Sequence, residues 1–417
     1  MKKVVIVGAG FSGVLIAQYL DKKLREYPDA EITLIDMNDY HTMRTEIHAA
    51  ACGRGKAHKI TYNLKKIFKK YNVKVVNDLA LDFDFDAQKG SCKNGTYDYD
   101  YVVISAGSQP CYFGIPGAEE NALPFWTYDD ALRLKDRIHD SFKAAAKCTD
   151  ADERKRLLTF HIVGAGLTGV ELAGEMAEYT PILAEKYGVS MDDVTVINLD
   201  GAPRAIPNLP AFVASNVAGK LEALGIKMIF DTKVKEVTDK SITLETNGVA
   251  STVPTGTVIW SAGITANDVT QKAAAKLPSE KGFRLVENEY LRSTADETVY
   301  ICGDNMWYIP KGKNSPVLQM VENCEQASKI VANNIAYEIT GEGKLKAYKP
   351  SLHGCMISLG ARQGISYAGI GKFMIPLPSL ITQIAKRFIN IVYLAPVVGF
   401  SQLPLLIAHE FFAQRKY

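Results

Sequence analysis

Two copies of one short pattern restrict this chain more than any other feature of it. Near the N-terminus, Val4-Val5-Ile6-Val7 is an apolar run dominated by β-branched residues, which reads as a strand buried on both faces. Gly8-Ala9-Gly10-Phe11-Ser12-Gly13 then turns the chain into a helix beginning near Phe11. A turn this tight needs residues without a Cβ, and the amides exposed at the helix start suit a pyrophosphate. A second strand, Glu31-Ile32-Thr33-Leu34-Ile35, ends at Asp36, whose carboxylate can accept both hydroxyls of an adenosine ribose. The glycines alone are weak evidence. Strand, glycine turn, helix, strand and acid in that order predict a dinucleotide site.

The pattern returns at Phe160-His161-Ile162-Val163-Gly164-Ala165-Gly166-Leu167-Thr168-Gly169, and its second strand, residues 194–199, ends at Asp200. In each half a further buried strand closes in Ala-Gly: residues 101–105 before Ala106-Gly107, and residues 258–261 before Ala262-Gly263. Residues 298–302 give another strand ending at Gly303-Asp304, and the periodicity of residues 320–335 predicts a helix. Both copies keep three glycines and the acid, so two dinucleotides are expected, a flavin in one unit and a nicotinamide nucleotide in the other. A flavin would accept hydride at its N5 and pass electrons to a second acceptor, leaving the protein to align and tune the rings. Little acid–base machinery is required, and no Ser/His/Asp or metal constellation stands out.

Composition narrows the class further. At 417 residues the chain can hold two or three cores, and 48 basic against 46 acidic residues create no field that would draw it to nucleic acid. The seven cysteines (52, 92, 111, 148, 302, 324 and 355) form no CxxC pair and no metal-ligand spacing, which fits free thiols in a reducing cytoplasm and excludes a zinc site. The apolar run after Met1-Lys2-Lys3 is too short for a signal-peptide core. The charged run 149–156 reads as a solvated connection, and residues 89–99 as a hairpin.

In this order, VVIVGAGFSG, NDYH, YVVISAGS, HIVGAGLTGVELAGE and VYICGD resemble the two-dinucleotide flavoprotein reductases. Within that group the chain resembles the type II NADH dehydrogenases, single-chain NADH:quinone oxidoreductases that pump no protons, over essentially its whole length. The resemblance implies an α/β fold with two Rossmann-like dinucleotide-binding domains, for FAD and NADH, plus a C-terminal membrane-associating region. The expected division is FAD-binding residues 1–112 and 266–345, NADH-binding residues 113–265, and a C-terminal membrane or dimer-interface region, 346–417.

It also implies roles. Gly8, Gly10 and Gly13 would hold the FAD pyrophosphate, Asp36 its ribose, and Asp304 its ribityl or phosphate region, unless Asp304 merely caps the next helix. Ala106, Gly107 and Gly263 end the strands that face the nucleotides. His41 and Arg44 lie in the loop that nears the flavin, although His41 reads equally well as a structural histidine. Gly164, Gly166 and Gly169 would take the NADH pyrophosphate. Asp200 would accept a free 2′-hydroxyl and repel a 2′-phosphate, favouring NADH. Glu171 would sit near the nicotinamide, or be a favourable charge near a helix N-terminus. Where many relatives carry Ala-Gln-x-x-x-Gln beside the flavin on the quinone side, this chain has Glu322 for the first glutamine and keeps Gln326, both on one helix face.

The tail is the remaining clue. From Phe388 to Ala408 no residue carries a formal charge, a length that would permit a membrane span. Pro396, Gly399 and Pro404 argue against one continuous helix. Lys386 and Arg387 before it, with Arg415 and Lys416 after it, suit an element lying flat on an anionic surface. A homodimer interface or a buried helix pair would use the same residues. The expectation is a peripheral enzyme on the cytoplasmic face of the cell membrane, reducing a menaquinone or ubiquinone. Sulfide:quinone oxidoreduction is the alternative, since it also meets membranes, but it calls for paired cysteines at the flavin and usually an eroded second motif. A reductase of this scaffold with another acceptor is the second.

Overall fold

The computed structural model describes residues 1–54, 60–370 and 373–412. The chain opens with β1 (Lys2–Val7), α1 (Phe11–Lys23) and β2 (Ala30–Asp36), followed by the short helix α2 (Ile47–Ala51), β3 (Val73–Asn77) and β4 (Tyr101–Ile104). Strand β1 lies between β2 and β4 in parallel register, with Val7 opposite Ile35 and Ile104. Neighbours on both edges and cover on both faces explain why Val4 to Val7 are all apolar and buried.

The second unit repeats this plan after α3 (Tyr128–Ala145). Its strands are β5 (Thr159–Val163), β6 (Thr195–Leu199), β7 (Lys227–Ile229) and β8 (Thr257–Trp260), with the long helix α4 (Leu167–Tyr187) after the glycine turn. The parallel order is Leu123–Pro124, β8, β5, β6, β7. Strand β9 (Val299–Ile301) then returns to the first sheet and pairs with β4, giving β9-β4-β1-β2-β3. Each unit also carries a three-stranded antiparallel meander, Ala80–Asp84 with Lys89–Cys92 and Thr96–Asp98 in the first, and residues 232–254 in the second. Helix α5 (Val321–Thr340) packs along α1.

The C-terminal part is an antiparallel sheet of β10 (Gly354–Leu359), β11 (Gln363–Ile370) and β12 (Phe373–Leu377), covered by α6 (Ser379–Val398) and followed by α7 (Leu403–Phe412). Helix α6 runs through Pro396, which sits two residues from its end, and stops at Gly399 with φ +98°. The uncharged run therefore begins in the middle of a helix and is divided at Gly399, not at Pro396. Helix α6 is long and apolar enough to cross a bilayer, yet half of its most apolar stretch is buried against the protein.

The charged connection 149–156 is solvated, as expected, and it is helical: Asp150 accepts from the Glu153 amide at 2.8 Å and caps a helix, Ala151–Leu157, with no buried residue, braced by the Arg156–Glu153 pair. One expectation needs correction. Lys386 and Arg387 do not face outward: both are buried, and Lys386 is held inside by Glu171 and Glu46. Arg415 and Lys416 lie outside the described residues.

Candidate functional site

Each glycine in the two turns has a separate reason to lack a side chain. Gly8 (φ +100°) and Gly164 (φ +103°) adopt left-handed backbone, and a Cβ there would lie 2.4 Å from the Ser105 carbonyl oxygen and 2.8 Å from the Ala262 Cα. At Gly13 and Gly169 a Cβ would lie 1.7 and 1.9 Å from the carbonyl oxygen of Gly8 and Gly164, so these positions let the helix seat on its own turn. At Gly10 and Gly166 a Cβ would meet no protein atom within 4 Å. The middle glycine of each motif thus keeps open the space in front of the helix N-terminus that a pyrophosphate would fill.

The acids repeat as closely. Asp36 accepts from the Ala9 amide at 2.6 Å and the Asn38 amide at 2.7 Å; Asp200 accepts from Ala165 at 2.7 Å and Ala202 at 2.8 Å. Burial pushes the Asp36 carboxyl up, against the pull of those two amides. With each oxygen holding one backbone N–H, each retains a lone pair for a ribose hydroxyl. Even the serines match, Ser105 donating to the Val7 carbonyl at 3.0 Å and Ser261 to Val163 at 2.9 Å.

The Ala-Gly turns differ in what covers them. The Gly107 N–H donates to Asn305 Oδ1 and its carbonyl accepts from Asn305 Nδ2, both at 2.8 Å, while Asn267 Nδ2 donates to the Ala106 carbonyl at 2.6 Å. At Gly263 (φ +70°) the ring of Phe113 lies where a Cβ would go. Asn305 and Phe113 escape sequence reasoning, because only the fold brings them to these turns. Asp304, beside Asn305, accepts from the Ser108 hydroxyl at 2.6 Å and faces Arg44, as do Asp36 and Asp130. The Arg44 guanidinium lies 5.3 Å from the Trp126 ring.

His41 has both ring nitrogens engaged. Its Nδ1–H donates to the Ala9 carbonyl at 2.9 Å and its Nε2 accepts from the Tyr393 hydroxyl at 3.0 Å, and burial pushes its pKa down to about 4. It is a neutral strut between the first glycine turn and α6. Phe11, 4.8 Å from the Tyr393 ring, completes the contact.

Glu171 reaches the C-terminal sheet and α6. It accepts from the Ser358 amide at 3.0 Å and from Lys386 Nζ at 2.7 Å, and lies 3.8 Å from His48 Nε2. Burial pushes its carboxyl up while Lys386 pulls it down. Lys386 also lies 3.7 Å from Glu46 and donates to His48 Nε2 at 3.2 Å, so His48 is neutral. Three regions of the chain therefore meet at one buried ammonium. On α5, Glu322 accepts from His353 Nδ1 at 2.5 Å and from the His353 amide at 3.3 Å, while Gln326 exchanges hydrogen bonds with the Ser351 backbone at 2.6 and 3.0 Å. Spacing put them on one face; the structure adds that the face is a clasp for residues 351–353.

All seven cysteines are free, and burial pushes the Cys302 and Cys355 thiols up to about 12, far from thiolate reactivity at neutral pH. Among the described residues no His/Cys/Asp/Glu group could hold a metal ion.

Comparison with known proteins agrees with this geometry. The family model described as pyridine nucleotide-disulphide oxidoreductase matches residues 2–328. The type II NADH:quinone oxidoreductases of Staphylococcus aureus and Staphylococcus haemolyticus are each 28% identical over 364 residues, covering 87% of this chain and 89% of theirs. Among solved structures, NDH2 from Plasmodium falciparum in complex with NADH superposes with a TM-score of 0.86 at 16% identity, covering 99% of both chains. The sulfide:quinone oxidoreductase of Aquifex aeolicus gives 0.78 at 20% identity, covering 99% of this chain and 96% of that one.

Proposed function

This chain belongs to the pyridine nucleotide-disulphide oxidoreductase family, and from that premise we infer that it is an FAD-dependent NADH:quinone oxidoreductase that pumps no protons. The observation that carries the reading is the atom-level repeat: two open glycine cradles, each with a carboxylate pinned by two backbone amides and free to accept a ribose. FAD held there would supply the redox chemistry, as hydride acceptor from NADH and two-electron donor to the quinone.

The protein's own groups bind and orient. Gly8, Gly10, Gly13, Asp36, Ala106, Gly107 and Asp304 would hold FAD in the first unit, with Arg44 balancing the acids around it. Gly164, Gly166, Gly169, Asp200 and Gly263 would hold NADH in the second. Both Asp200 oxygens are tied to backbone, so the carboxylate cannot swing away from a 2′-phosphate and NADPH is disfavoured. Asp200→Ala should lower kcat/KM for NADH about tenfold or more, the loss of a charge-assisted hydrogen bond, while NADPH is spared; an unchanged NADH/NADPH ratio would remove the role. Glu171 with Lys386 is suited to hold a proton at the meeting of the two units and the C-terminal sheet. Glu322 and Gln326 position the segment that leads into that sheet.

Sulfide:quinone oxidoreduction is disfavoured by the intact second motif and by thiols that burial keeps protonated. A dithiol mechanism would need a reactive cysteine pair; Cys52 follows α2 with no second cysteine near it in sequence, and burial pushes up the thiols of Cys302 and Cys324, which neighbour one another.

The membrane belongs to this reading. Leu380, Ile384, Phe388 and Val392 form an exposed apolar stripe along α6, continued on α7 by Leu405 and Phe412. A quinone dissolved in lipid reaches the flavin most directly through such a face. NADH supply assigns it to the cytoplasmic side, and without lipid the same stripe would pair two copies. The decisive experiment is anaerobic: NADH should bleach the yellow protein, and a menaquinone or ubiquinone analogue should restore its colour. Bleaching without recolouring would refute the quinone as acceptor, and no bleaching would refute the NADH half.

A further inference from the structure

This inference rests on the membrane reading above and concerns which lipid the face meets. The stripe on α6 is apolar and uncharged, because the two cations of that helix, Lys386 and Arg387, are turned inward. Neither cation of α6 is therefore placed to meet a charged surface.

Against α6 packs the short helix Leu64–Ile67 with its continuation Phe68–Lys70. Its inner face is Leu64, Ile67 and Phe68, exposed by 0, 6 and 4%. Its outer face is Lys65, Lys66, Lys69 and Lys70, all exposed. The alternation is rigidly enforced, since reversing it would bury four ammonium groups.

None of these four lysines has an ion-pair partner among the described residues, unlike the exposed Lys2 and Lys276, which reach Asp100 and Asp82 at 2.8 Å. The acids nearby are already committed: Asp21, which lines one cavity with Lys70, accepts from the Asn72 amide at 2.6 Å and lies 3.5 Å from Arg25. Asp39 accepts from the Asn63 side chain at 3.1 Å, and Glu46 and Glu410 are buried and share the Asn390 amide. Tyr62, one turn before the lysines, lies near both of those buried acids, which ties the segment to α7 as well as α6.

Exposed cations on an element packed against the helix that carries the apolar stripe complement a surface that is greasy inside and negative at its rim. We propose that Lys65, Lys66, Lys69 and Lys70 are the headgroup contacts of the membrane face and make it selective for anionic phospholipid. The apolar stripe supplies insertion, and the lysines supply the charge term, which is screened by salt.

The test uses the full chain with its flavin and two kinds of vesicle, phosphatidylcholine alone and phosphatidylcholine mixed with phosphatidylglycerol. Sedimentation should show at least about tenfold tighter binding to the mixed vesicles, fading at high salt. The variant Lys65→Gln/Lys66→Gln/Lys69→Gln/Lys70→Gln should lose that advantage and keep its binding to phosphatidylcholine. Unchanged flavin content and NADH bleaching will show that it has folded. Wild-type protein that binds both vesicles equally, or a variant that keeps the preference, would overturn the lysine assignment and leave the membrane reading standing. Wild-type protein that binds neither would overturn both.

Discussion

One methyl group distinguishes binding from folding at the glycine turns. At Gly10 an added Cβ touches no protein atom and φ is an ordinary −70°, so Gly10→Ala should change stability by less than about 1 kcal/mol. It should nonetheless purify with little flavin, because the methyl occupies the pyrophosphate's space. Gly13→Ala forces a Cβ to 1.7 Å from the Gly8 carbonyl and should cost about 2–4 kcal/mol in a urea titration. A Gly10→Ala protein with full flavin content would show that no pyrophosphate sits there. Two buried histidines make a pH prediction. Burial pushes the pKa of His41 and His161 from 6.5 down to about 4. Between those values the unfolded chain binds the protons and the native state does not, so stability is complete above pH 6.5 and falls as pH drops toward 4. At about pH 5 each should cost about 2 kcal/mol. Urea midpoints measured near neutrality and near pH 5 check this, and equal midpoints would mean both rings take up protons without leaving their places.

At the scale of elements, the legible features were those whose reasons are local. A buried strand, a glycine turn and an acid at the next strand's end explain one another within a single strand–helix–strand unit, and the structure has both sets. What could not be read was direction. The sequence places Lys386 and Arg387 before an apolar run, as a membrane-surface helix would have them, but Glu171 lies 215 positions away and no periodicity discloses it. Likewise, spacing puts Glu322 and Gln326 on one face without naming Ser351 and His353 as what they grip. Asn305 meets Gly107 across 198 residues, only because β9 returns to the first sheet. The buried ammonium is therefore the sharpest test of the element packing. Lys386→Met leaves Glu171 and Glu46 without the ammonium they share and should destabilise by about 3–5 kcal/mol. Adding Glu171→Gln should recover much of that loss. Additive effects of the two substitutions would show that the pair does not interact.

At the scale of the molecule, the C-terminal region is built into the first nucleotide unit and is not an appendage to it. Gln18 on α1 donates to the Val397 carbonyl at 2.9 Å, Asn390 donates to Glu46 at 3.0 Å, and Tyr393 holds His41 against the Ala9 carbonyl of the glycine turn. Ile391, Leu394 and Val397 are buried in the same seam, so one helix offers its outer stripe to solvent and its inner stripe to the first nucleotide unit. Removing everything after Lys386 would take Tyr393 from His41 and the Val397 carbonyl from Gln18, and open an apolar seam beside the turn that should carry the pyrophosphate. The expected product is a chain with a lower melting temperature that loses its flavin on dilution, because ligand and fold stabilise each other. Substituting only the outer stripe, Phe388→Ser with Val392→Ser and Leu405→Ser, should instead leave flavin content and melting unchanged and free the protein from vesicles. Absorbance of the bound flavin, thermal melting and vesicle sedimentation on the two proteins separate the cases. A truncated chain that keeps a full complement of flavin and melts like the whole protein would show that the inner stripe contributes nothing to the nucleotide site.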